Sequence, residues 1–264
     1  MPRLRSFFRR TWWLAIPIAL VVAIKLTLSF GAVQAFTLLA PQLNGAVPLG
    51  DRLYVDKAMS ETQRTALQQD LIAARQRLTE FYSTLQSTPS IVACATETCE
   101  WRFGGRGGTR ADAFGDTALR LSPKGLTRAL IIHEWSHAEI YHRVGGLLNV
   151  VRIPRWFDEG LAVALADEEI NSEKHWQTIV DEAVPHPKLD ELASYQNWGS
   201  AVRRYYELGG NVQRDVVYTT AGHEVRNWLN TAGPEGVLAL IAQVREGRPF
   251  AEAYEIWRFA RFKR

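Results

Sequence analysis

Apolar residues recur along the chain in three distinguishable rhythms. Leu67, Leu71, Ala74, Leu78 and Phe81 repeat every three to four positions, which predicts an amphipathic helix over about 60–85. Ser60 followed by Gln63 supplies a capping box at its start, and Pro89 closes it. Residues 90–93 and the alternating stretch 118–122 read as short strands, separated by a loop or long turn at Gly104, Gly105, Gly107 and Gly108. A second helix is expected over about 124–143, ended by Gly145-Gly146, and a third from Pro154 to about Glu168. Beyond that the pattern stays helical, with breaks at Pro185, Pro187, Gly209-Gly210, Gly233-Pro234 and Gly247-Pro249. Helix, short strands, then a helical half is an α+β arrangement with segregated elements. Residues 44–52, with Gly45, Pro48 and Gly50, read as a linker.

The third rhythm is an unbroken run. Residues 12–30, from Trp12 to Phe30, are apolar but for Lys25 among charged positions, and as a helix would span roughly 28 Å. The formal net charge of the 264-residue chain is +3, from 31 Lys and Arg against 28 Asp and Glu. Five of those cations, Arg3, Arg5, Arg9, Arg10 and Lys25, precede the first acid, Asp51; without them 26 basic groups face 28 acidic ones. The cationic surplus is therefore a topogenic signal rather than a nucleic-acid footprint. It divides the chain into a membrane-directing segment, 1–45, and a body, 46–264, expected to lie outside the cytoplasm. Two readings of the segment stand: an uncleaved transmembrane anchor, and a signal peptide cleaved after Val33-Gln34-Ala35, which would release the body. Cys94 and Cys99 fit an oxidising compartment, either as a staple at a hairpin end or as two unpaired thiols.

The helix at 124–143 carries His133-Glu134-Trp135-Ser136-His137 behind the apolar stretch 129–132. Histidines at i and i+4 project from one helix face, so both imidazoles can reach one ion. The intervening Glu134 is placed to take a proton from water, as a general base does. A metzincin would place its third histidine at 143 and a glycine at 140; this chain has Arg143 and Ile140. His142 points about 140° around the helix from His137 and reads as a surface or capping residue. The remaining candidate is Glu159, separated from His137 by twenty-one residues, in Pro154-Arg155-Trp156-Phe157-Asp158-Glu159-Gly160-Leu161-Ala162.

In His133, Glu134, His137 and the block Trp156-Phe157-x-Glu159-Gly160-x-Ala162, the chain resembles the gluzincin metallopeptidases, specifically the peptidase MA-like, aminopeptidase N-type branch. The resemblance implies a zincin-like catalytic domain, Zn2+ bound by His133, His137 and Glu159, Glu134 as general base, and a peptide or protein substrate. The segment Val217-Tyr218 to Val225 resembles the family stretch whose tyrosine steadies the oxyanion, which makes Tyr218 a candidate; His223 is the rival electrophile, as in thermolysin-like members. Departures from the family pattern are equally plain. The Gly-x-Met-Glu-Asn element is missing, so aminopeptidase specificity does not carry over; an extended peptide could instead pair with the strand before the metal helix. The Asp four residues after the ligand glutamate in thermolysin-like enzymes is Val163 here, leaving Asp158 or Asp167 to orient a histidine. The expected activity is zinc-dependent peptide hydrolysis. The alternatives are hydrolysis of a non-peptide amide or ester of the cell envelope, and an inactive envelope-binding module.

Overall fold

The computed structural model describes residues 37–258 except 106. The segment 12–30 lies outside the described residues; among those described, no helix is long and apolar enough to cross a membrane. The described chain is a mixed α/β fold, mostly helical, around one five-stranded sheet.

The sheet has the order β1-β2-β3-β5-β4, with β1 Val47–Gly50, β2 Leu53–Val55, β3 Ser90–Ala93, β4 Ala111–Phe114 and β5 Ala118–Leu121. The β1/β2 and β4/β5 pairs are antiparallel, whereas β2/β3 and β3/β5 are parallel. The expected linker at 44–52 is thus corrected: it contains β1. Pro48 is compatible with a strand there because β1 is an edge, where one missing N–H costs no ladder bond. A second correction concerns the strand before the helix that carries His133 and His137. That strand, β5, is interior, and the edge on its side of the sheet is β4.

Alternation assigns the two sheet faces. Ile91, Ala93, Leu119 and Leu121 enter the main core beneath helix α1 (Glu61–Tyr82) and helix α3 (Arg128–Val144). Val92, Cys94 and Ala118 point the other way, into a small cluster with Leu38, Cys99 and Phe103. The disulfide Cys94–Cys99 belongs to this second face, with Cα atoms 5.3 Å apart. It joins the end of β3 to the first turn of helix α2 (Glu97–Arg102), not the end of a hairpin. Both ends of α1 follow local rules: the Ser60/Gln63 capping box forms, and Phe81 and Tyr82 bury the last turn.

Helix α3 starts at the Thr127 cap and stops at Gly145, as its sequence signals require. After a short helix α4 (Leu147–Val150), helix α5 (Arg155–Ala166) packs between α3 and the long helix α7 (Tyr195–Arg245). Pro154 stands at the N-cap of α5 rather than in its first turn. Between them lies helix α6 (Glu173–Asp181), and helix α8 (Phe250–Arg258) closes the fold. The breaks expected at Gly209-Gly210 and Gly233 are kinks within α7: Gly233 has φ 62° and ψ −177°, a conformation open essentially to glycine.

Gly160 is the contact point of α5 with α7. A Cβ there would lie 2.4 Å from the Ala221 carbonyl oxygen and 2.6 Å from Val225 Cγ2. Helix propensity alone would make Gly160→Ala stabilising by about 1 kcal/mol. Because the obstacle is backbone, we expect the opposite sign, a loss of about 1–3 kcal/mol in urea unfolding. An unchanged or raised midpoint would show that α5 and α7 can part without cost.

Candidate metal centre

Two helices bring the chemistry together. His133 and His137 lie one turn apart on α3, and Glu159 lies in the second turn of α5, which crosses that face. One donor atom from each of the three falls within 4.8 Å of the others. Glu159 Oε2 is 3.3 Å from His133 Nε2 and 3.7 Å from His137 Nε2. This oxygen is buried and accepts no well-formed hydrogen bond. Tetrahedral ligands at about 2.0–2.1 Å from an ion are themselves about 3.4 Å apart, so the spacing and donor types suit a small divalent cation.

The surrounding groups orient these donors. His137 Nδ1–H donates to Asp158 Oδ1 at 2.8 Å, which turns its Nε2 toward the cluster. Of the two sequence candidates for this role, Asp158 fills it; Asp167 ends α5 in a left-handed cap. Arg155, one turn before the acids, pairs with both Asp158 Oδ2 and Glu159 Oε1. Sequence reasoning missed Arg155. Its signal was present in the i+3 and i+4 spacing to two acids on one helix. His133 Nδ1, in contrast, is buried with no partner.

The electrostatics follow from burial and from the charges gathered here. Burial opposes the charged forms of Asp158 and Glu159, but His137 and Arg155 for the first, and Arg155 and the histidines for the second, hold both below the usual carboxylate range. Burial likewise opposes charge on His137, yet the Asp158 carboxylate and then Glu159 push its pKa up to about 10. Glu134 is raised, chiefly by burial, against the pull of the two histidines. Tyr218 is raised by burial and then by the Glu159 charge, so its phenol stays protonated at neutral pH.

A cavity of about 290 Å³ is lined by all three cluster residues, with Asp112, Gly115, Tyr141, Val150 and Tyr195 among others. A second of about 270 Å³ shares His133 and extends past Arg110, Glu168, Arg214 and Asp215. Thr109, Ala111, His133, Glu134 and Tyr218 line both. Strand β4 therefore runs beside the cleft that holds the cluster, and its outer edge has no strand partner among the described residues. A larger, mostly apolar groove of about 810 Å³ between α1 and β1/β2 contains none of the candidate residues.

His133, Glu134, His137, Glu159 and Tyr218 are thus brought to one place, and His223 is not. His223 Nδ1 pairs with Glu173 at 2.7 Å, its Nε2 accepts from Asn227 at 2.8 Å, and its ring stacks on Trp176. It lines neither cavity. His142 is exposed and pairs with Asp116 at 2.7 Å. No protein-family model, curated protein or solved structure matches the chain.

Proposed function

We propose that the chain is a zinc-dependent metallopeptidase of the gluzincin type, zincin-like in fold, that acts on peptide bonds outside the cytoplasm from a membrane held by its N-terminal segment. The observation that carries this reading is the convergence of three donor atoms, from His133, His137 and Glu159, beside Glu134 in a cleft under an open strand edge. A divalent zinc ion held there would supply a Lewis acid for carbonyl polarisation. The chain's own residues supply the rest. The free edge of β4 offers backbone groups to an extended substrate. Glu134 accepts a proton from the attacking water and returns it to the leaving amine. Tyr218, a neutral phenol, donates a hydrogen bond to the developing oxyanion.

The test is metal analysis of the purified full chain, coupled to a peptide-library digest with and without chelator. Cleavage that chelation abolishes and zinc restores supports the reading. Bound metal with no cleavage of any peptide redirects it to a non-peptide amide or ester, and a chain that binds no metal overturns it. Within this reading Tyr218→Phe should keep its metal and lower turnover about 10²–10³-fold, the usual effect of removing one oxyanion donor. A larger loss from His223→Ala, with Tyr218→Phe near wild type, would transfer the role to His223.

A further inference from the structure

The end of helix α3 leads into an apolar tip that none of the described residues covers. After the Gly145 cap, the chain turns through Leu147, Leu148 and Val151, which are 65%, 84% and 62% exposed. The tip is held in shape. Val150 and Ile153 anchor it in the core, and Asn149 Nδ2 donates to the Val144 carbonyl at 2.9 Å. Solvent exposure of three large aliphatic side chains so close together is therefore built in, not the result of a loose loop.

Cations surround the tip. A Cβ built at Gly145 would lie 3.6 Å from Arg245 Nε, and one at Gly247 would lie 3.8 Å from Arg152 Nη1. This places the Arg152 and Arg245 guanidinium groups over the two turns that flank the tip. Arg248 adjoins Gly247 and makes only a loose contact with Glu252, at 3.9 Å. Neither Arg152 nor Arg245 forms an ion pair among the described residues. The acids nearby in sequence are Glu246 and Glu252, both exposed. Leucines and a valine at the centre, with arginines at the rim, match the interface of an anionic bilayer: aliphatic side chains enter the acyl boundary while guanidinium groups remain among the phosphates.

We infer that Leu147, Leu148 and Val151 dip into an anionic lipid surface, with Arg152, Arg245 and Arg248 on its headgroups. Tyr141 and Val150, which adjoin the tip, line the cavity beside the metal cluster, so the docked protein presents one mouth of its cleft to the membrane surface. The inference rests on the exposed surface alone and is independent of peptidase activity.

Its test is the full chain carrying Leu148→Cys labelled with an environment-sensitive fluorophore; Cys94 and Cys99 are consumed in the disulfide. The protein is reconstituted in vesicles of phosphatidylcholine and phosphatidylglycerol in equal parts, or of phosphatidylcholine alone. The expected result is a blue shift and quenching by brominated acyl chains in the mixed vesicles. Both should weaken in high salt and in the Arg152→Glu/Arg245→Glu/Arg248→Glu background. An aqueous emission spectrum in mixed vesicles overturns the inference. A blue shift without bromine quenching also overturns it, because the tip is then covered by protein. Quenching that is equal in neutral vesicles and indifferent to the arginine changes overturns the anionic assignment.

Discussion

Replacing Glu134 by glutamine should lower peptide turnover by about 10²–10⁴-fold, the usual contribution of a positioned acid–base group, while metal content stays unchanged. The side chain is 7% exposed and accepts no hydrogen bond from the described residues. It lines both cavities and stands next to His133 in the chain without being one of the three converging donors. Burying a carboxylate without a partner costs more than burying the amide of the same shape. The same substitution should therefore raise the unfolding midpoint of the metal-free protein. Higher stability, retained metal and lost turnover together distinguish a proton acceptor from a structural side chain. Full peptide hydrolysis by Glu134→Gln would sink the mechanism.

The second large effect is expected from Arg155→Met. Arg155 is the cation that faces both Asp158 and Glu159, which lie buried side by side on α5. Removing one partner of a buried ion pair typically costs about 3–5 kcal/mol, because the remaining charge stays desolvated and unpaired. Urea unfolding in chelator should show a loss of that size. Zinc should reduce the loss, since a cation at the cluster compensates Glu159 from its other oxygen. The pH dependence has a definite sign. Both carboxylates are depressed in the folded protein, so the stability they contribute is complete above their ordinary values of about 4 and fades as pH falls through the folded ones. Without Arg155 those folded values rise toward normal, so the variant has less stability to lose in acid. A penalty below about 1 kcal/mol would class the pair with solvent-screened surface bridges.

The legible part of this chain is the part written locally. The spacing of His133 and His137 is a helical property, and so are the Ser60 capping box and the Gly145 stop; each was readable because a few adjacent residues decide it. The glycines at 209, 210 and 233 mark the kinks for the same reason. What escaped depends on partners distant in sequence. Strand β1, Val47–Gly50, is too short and too rich in glycine and proline to announce itself, and exists only because β2 pairs with it. The edge position of β4 is a matter of strand order, which a strand's own alternation does not encode. His223 and Tyr218 lie five residues apart on one helix, and only the packing of α6 shows that the histidine is engaged by Glu173 and Trp176.

Glu139 is the other buried acid of helix α3, with no exposure at all. Its Oε1 accepts from the backbone amides of Gln86 and Ser87 at 2.8 and 2.6 Å and from the Ser87 hydroxyl at 2.8 Å; its Oε2 accepts from Arg143 Nε at 2.7 Å. The connection from α1 to β3 is thereby fastened to the helix that carries His133 and His137. Two loop amides with no place in any strand or helix should then exchange with deuterium as slowly as core amides, because freeing them requires opening helix α3 from its neighbours. In kinetic language, the loop at 86–87 has no fast breathing mode of its own.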